Sequence, residues 1–294
     1  MRGSRLLGIV VASTLIGTVG AMASEPSGGP LERLILGGVL DFSAGYRDIA
    51  STDDGTGRSW EWSAAGRFNI PLSNNLSVQL DGASEFYTSL NYSEDPRRTA
   101  TAGVHLSYRV PTRGLIGIFA AHGWSPLEDG QKYTARMYGV EGQLYRGAWT
   151  FYAQAGVADV TKGDTGEGIN DARFARGVAR YFFDANTKLE LELSHARASP
   201  YIDGDDKGKF WGWGASFERK LFDLHRHPVY WSLAYRGASY DATTESDILN
   251  EHVFRVGLKV LFGARDLQHN DRYGATLDLP MLPFRANGFS ELID

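Results

Sequence analysis

Fourteen ionisable residues recur at alternate positions of apolar–polar runs, and they are the side chains with which this chain could do chemistry. Asp81, Glu85, Glu141, Glu190, Glu192 and Glu218 stand against Arg47, Arg67, Arg109, Arg176, Arg180, Arg236, Arg255 and Lys259. If water surrounds them, opposed charges of this kind create a transverse field that orients and sieves polar solutes. If they are dry they must pair, for example Arg109 with Asp81 or Glu85. The residues alone leave both open. Arg236, Arg255 and Lys259 fall in the last two runs and Arg47 and Arg67 in the first two, so closure of the chain on itself would gather them. Glu190, Glu192 and Glu218 form an acidic counterpart. Such segregation suits a path for charged or zwitterionic solutes, and the near balance of signs argues against a polyanion pore.

Other constellations carry less. His105 and Ser107 lie two apart, so in an extended chain a base and a hydroxyl share a face; catalysis would also need a third group to orient the imidazole. Ser194 and His195 point to opposite faces. The pair His225 and His227, near Asp223, lies in a turn and reads as solvated. The acidic stretch Asp203-Gly204-Asp205-Asp206 lacks the downstream glutamate of a calcium loop. We expect no metal, no cofactor and no catalytic centre.

The elements that must position the fourteen are β-strands. Alternation of apolar and polar residues between turn signals gives about twelve. The first runs near 34–47, with Leu34, Leu36, Leu40, Phe42 and Tyr46 opposite Asp41, Ser43 and Arg47. Runs near 58–70, 76–87 and 99–110 follow, setting Trp60, Trp62, Leu80 and Val104 against Glu61, Arg67, Asp81 and His105. The run 115–122 is apolar on both faces and has no evident orientation. Next come 133–144, 149–157, 173–183 and 188–196; the last opposes Leu189, Leu191 and Leu193 to Lys188, Glu190 and Glu192. Runs 210–219 and 229–239 turn Trp211, Trp213 and Phe217, then Val229, Trp231, Leu233 and Tyr235, to the apolar side. Short Pro-, Gly-, Asn- and Asp-rich turns (71–75, 111–114, 146–147, 184–187) alternate with longer polar links (48–57, 89–98, 123–132, 161–170, 199–208, 241–250). Short turns on one rim and long links on the other is the asymmetry of an outer-membrane barrel, whose long loops face outward from the cell. Trp60, Trp62, Trp211, Trp213 and Phe262 are expected near strand ends, as interface girdles.

Composition agrees. Thirty-five glycines, fourteen tyrosines and no cysteine exclude disulfides and a lipid-anchored cysteine. Mean hydropathy is −0.28, and no run past the N-terminus suits a transmembrane helix. Net charge is −5 with no basic block, so nucleic acid is not an expected partner. Arg2 and Arg5, the apolar run from Leu6 to Val19 and Ala21-Met22-Ala23 form a secretory signal. The expected organisation is signal 1–23, leader 24–32, barrel 33–262 and tail 263–294.

The run Arg255-Val256-Gly257-Leu258-Lys259-Val260-Leu261-Phe262 resembles the β-signal that assembly machinery reads on the last strand of outer-membrane barrels, with Gly257, Val260 and Phe262 as its elements. With the signal and the hairpins it makes the chain similar to small proteobacterial porin-like outer-membrane proteins. The resemblance implies an all-β, transmembrane, antiparallel up-and-down barrel in the outer membrane, with outer-membrane lipid and the assembly machinery as partners. Passive passage of small polar or charged solutes is the implied function; a closed structural or adhesion barrel and a lipid hydrolase are the alternatives. The His105-x-Ser107 element resembles that of outer-membrane phospholipases and lipid A deacylases, but Tyr108-Arg109 replace the Asn-Gly that follows Ser there. Most such barrels end at the aromatic residue, whereas here a polar, turn-rich tail follows. On the periplasmic side it could be a tether, a plug entering the lumen, or an element binding a periplasmic partner.

Overall fold

A computed structural model describes residues 36–279 apart from 52–54, 91–96, 127–131, 163–166, 201–207 and 242–247. The expected signal and leader, and the centres of the six long links, lie outside the described residues.

Twelve antiparallel strands close into one barrel: β1 Gly37–Ser51, β2 Gly55–Pro71, β3 Leu76–Ser89, β4 Arg97–Val110, β5 Gly114–Pro126, β6 Lys132–Arg146, β7 Trp149–Lys162, β8 Glu167–Asp184, β9 Thr187–Pro200, β10 Gly208–Leu224, β11 His227–Asp241 and β12 Ile248–Phe262. Each strand pairs with its sequence neighbours, and β1 closes on β12 from Gly38 opposite Phe262 to Ala50 opposite Asn250. Apart from a few bulges, the described wall strands are paired on both sides along their length, the condition for crossing a bilayer with strands. The short turns gather on one rim; Gly147 (φ 57°) and His225 (φ 59°) supply left-handed residues to two of them.

Period-two alternation sorts the faces. Trp62, Ile116, Val140, Leu193, Phe254 and Val256 are exposed on the outside, with Ile116 the most open at 69%. A continuous apolar belt of this kind around a closed barrel faces hydrocarbon, and the protein is built for the outer membrane. Two expectations need correction. The fifth strand has a clear orientation: Leu115, Phe119 and Ala121 are buried inside, and Ile116 and Ile118 face out. Both faces are apolar because the inner one meets an apolar filling instead of water. Trp62 stands in the middle of β2 opposite Ala44 and Phe86, not near its end, because the strands stay paired further towards the long links than the turn signals suggest. Val229 lies on the outer face with Trp231 and Leu233, as expected, opposite Val260 and Phe222, but is covered there (4% exposed) beside the bulge between Lys220 and Phe222 of β10.

The chain does not leave the barrel after β12. Gly263 (φ 68°) turns it inward, and helix α1, Leu267–Tyr273, follows with Asp266 as its N-cap, accepting from the His269 amide at 2.6 Å. Leu267, Ala264 and Ala275 pack with Val39, Phe182, Tyr230 and Leu261 at the short-turn rim. An extended stretch, 274–279, then runs inside the wall, and Leu277 is fully buried beside Leu115, Tyr152 and Val178. Further towards the long links the interior is apolar: Phe119, Met137, Val160, Phe174, Phe210 and Tyr240 form one buried cluster, against which Leu279 packs.

Phe262 is half-buried, its ring 4.7 Å from that of His227. If it completes an assembly signal, Phe262→Ala should leave secretion intact and lower the heat-modifiable, folded fraction in outer-membrane preparations. An unchanged folded fraction would place the signal elsewhere.

Candidate functional site: the lumen and the segment within it

All fourteen ionisable residues singled out by the alternation stand on the inner side of the wall. Their partners differ from the segregated arrangement that strand order suggests: every base but Arg109 meets an acid among the described residues. Arg47, fully buried, donates to Glu251 at 3.1 Å and lies over the Tyr87 ring. Arg255 binds Glu61 and, at 3.1 Å, Glu85, while Arg236 stands 3.9 Å from Glu85. Lys259 bonds Glu218 at 2.5 Å and lies 3.5 Å from Asp41. Arg176 grips Glu192 through two bonds of 2.9 and 2.8 Å, and Arg180 bonds Glu190 at 2.8 Å. Charge is interleaved because these side chains are shielded from water, and an unpaired ion there would cost several kcal/mol.

His105 is wholly buried and held between two carboxylates, Nδ1 2.8 Å from Glu141 and Nε2 3.1 Å from Asp81. Ser107 instead meets Ser77 at 3.1 Å, so the His-x-Ser pair is not assembled into a nucleophile and base. The rings of His225 and His227 are likewise not brought to a common site: His225 is exposed in its turn, and His227 packs on Phe262. Arg109 turns neither to Asp81 nor to Glu85; it donates to the Gly274 carbonyl at 2.7 Å.

That contact belongs to a larger set, which alternation alone does not reveal. The inner glutamines act as surrogate strand partners for the C-terminal segment. Gln79 donates to the Leu277 carbonyl at 2.8 Å and accepts from the Leu277 amide at 3.1 Å. Gln154 donates to the Asp278 carbonyl at 2.8 Å, and the Tyr152 hydroxyl accepts from the Asp278 amide at 3.4 Å. Ion pairs hold the carboxylates. Asp271 receives Thr150 at 2.5 Å and Arg180 at 3.1 Å. Asp278 is surrounded by Arg180 at 2.6 Å, Arg176 at 3.7 Å and Arg67. Arg272 lies 4.1 Å over the Tyr145 ring and bonds the Gly147 carbonyl at 3.1 Å, tying α1 across the rim.

The solved structures whose backbones superpose on this chain are bacterial barrels. An outer membrane channel from Pseudomonas putida F1 matches with a TM-score of 0.53 at 14% identity, covering 81% of this chain and 99% of that one. The fold is that of a bacterial outer-membrane β-barrel. The translocator domain of the autotransporter NalP from Neisseria meningitidis is also similar, at 11% identity and a TM-score of 0.44 over 85% of this barrel's chain and 95% of its own. A KdgM porin complexed with oligogalacturonate follows at 10% identity and 0.41, over 74% and 97% of the two chains. No protein-family model and no curated protein matches the sequence.

Proposed function

We propose that this barrel is an outer-membrane channel for small polar or charged solutes, without enzymatic chemistry, whose lumen is closed by residues 264–279 until that segment is displaced. The observation that carries the reading is the kind of bond that holds the segment. The wall strands are knit by continuous backbone ladders, whereas the backbone of 276–278 is bonded largely by side chains, Gln79, Gln154, Tyr152 and Arg180. Side-chain bonds can be exchanged for water or solute without disturbing the wall. The P. putida barrel of similar fold is described as a channel, and that role is the one carried over here. Twelve strands give a lumen intermediate between filled and open barrels, which a single extended segment can occlude.

The interleaved pairing of the inner charges favours a second reading, a permanently closed structural barrel whose partners bind its loops or tail. Planar-bilayer recordings of the refolded full chain separate the two. Discrete current steps, with long closed intervals while the segment is seated, are expected of the channel; complete electrical silence of correctly folded protein at all voltages would favour the closed barrel.

A further inference from the structure

We propose that Arg67, Arg176 and Arg180 form a binding site for a carboxylate group of the transported solute, and that Asp278 occupies it as a built-in stand-in. The proposal rests on the channel reading for its physiological meaning, but the site itself is tested separately.

Three guanidinium groups from β2 and β8 converge on a single carboxylate. Arg180 Nη2 is 2.6 Å from Oδ2, Arg176 Nη2 is 3.7 Å from the same oxygen, and Arg67 Nη1 takes Oδ1. Arg176 and Arg180 have permanent partners in the wall, Glu192 and Glu190. Among the described residues, the ion pair of Arg67 is with Asp278. When the segment leaves, the wall therefore keeps its internal pairs, while Arg67 loses this ion pair and is left with Asp81, opposite it on β3, and Asp41 as its nearby wall acids, flanked by two more guanidinium groups. Guanidinium forks match the planar geometry of a carboxylate, and charge-assisted bonds of this kind are the strong ones.

The neighbouring groups point the same way. Tyr152 and Gln154 bond the Asp278 backbone through neutral hydrogen bonds, and would serve the polar body of a solute equally well. A cavity of 60 Å³ adjoins the carboxylate, lined by the bases Arg67, Arg180, Lys188 and Lys259 and by the acids Glu190, Glu218 and Asp271. It has room for solvent beside the anion. A structural staple needs one partner for its carboxylate, not three cations and a void. The arrangement is that of a ligand site holding a piece of its own chain, so displacement of Asp278 by a solute carboxylate would couple cargo binding to opening.

The test uses the refolded full-length chain, calorimetry with succinate, and the same titration with inorganic phosphate. Asp278→Asn removes the competing charge and leaves the wall intact. Succinate should bind this variant about tenfold more tightly than the wild type, the size of a typical coupling between competing occupants. Adding Arg67→Gln should abolish the gain. Should Asp278→Asn fold poorly, Leu279→Ala, which loosens the anchor at Gly103, should show a smaller gain in the same direction. Folded variants that bind no succinate, or bind phosphate more tightly, would overturn the carboxylate site. A variant that binds succinate but passes no current would keep the site and sink the channel reading; one that conducts without binding would sink the site alone.

Discussion

Replacing Arg255 by glutamate should lower the denaturation midpoint of the refolded barrel sharply, with a loss of about 3–5 kcal/mol, the cost of breaking a buried pair and stranding its partner. The residue sits on β12 with Glu61 and Glu85, which are 2% and 4% exposed. Reversal would set three carboxylates against one another, with Arg236 beside Glu85 and Arg47 near Glu61 as the neighbouring bases. Were the lumen water-filled at this level, the same change would disturb an exposed pair worth only about 0–1 kcal/mol, and ion selectivity would shift while stability held. Tryptophan fluorescence during urea unfolding reads the difference. An unchanged midpoint would show that Arg255 is hydrated and that the interleaved network is not what holds this part of the interior.

The wall was legible in the sequence and the contents of the lumen were not. In β9, Leu189, Leu191 and Leu193 against Lys188, Glu190 and Glu192 permit one extended orientation only, because slipping by one residue would expose three charges to lipid. Turn chemistry then sets the hairpins, and their parity gives closure between β1 and β12. The partners of the inner charges do not follow from such local rules. Arg47 and Glu251 are 204 residues apart and meet only across the closing seam. The glutamines carry no sign at all. Gln79, Gln143 and Gln154 read as generic inward polar residues, and only the presence of 276–278 shows that they imitate a neighbouring strand. Asp271 and Asp278 belong to a polar, turn-rich stretch with no periodicity to place it. The fifth strand failed for the opposite reason: with Phe119 and Leu115 buried inside, its alternation vanishes wherever the filling is apolar.

A segment seated in the lumen carries one mechanical demand, that current flows only when residues 264–279 leave it. The natural chain has no cysteine, so the demand can be tested with a single engineered pair. The Leu279 side chain lies against Gly103 of β4, where glycine leaves room for it and any larger side chain would have to displace it. Gly103→Cys combined with Leu279→Cys, bridged by a disulfide or a short thiol cross-linker, would pin the end of the segment to the wall. The effect should be large, since locking the closed state removes the open population instead of shifting it by a factor. Planar-bilayer recording of the bridged protein before and after reduction is therefore the most direct measurement. The predicted result is silence when bridged and recovery of discrete channel openings on reduction, with the wild type unaffected by the reductant. Equal current in the bridged and reduced states would contradict the account, because solute would then be passing a segment that had never moved.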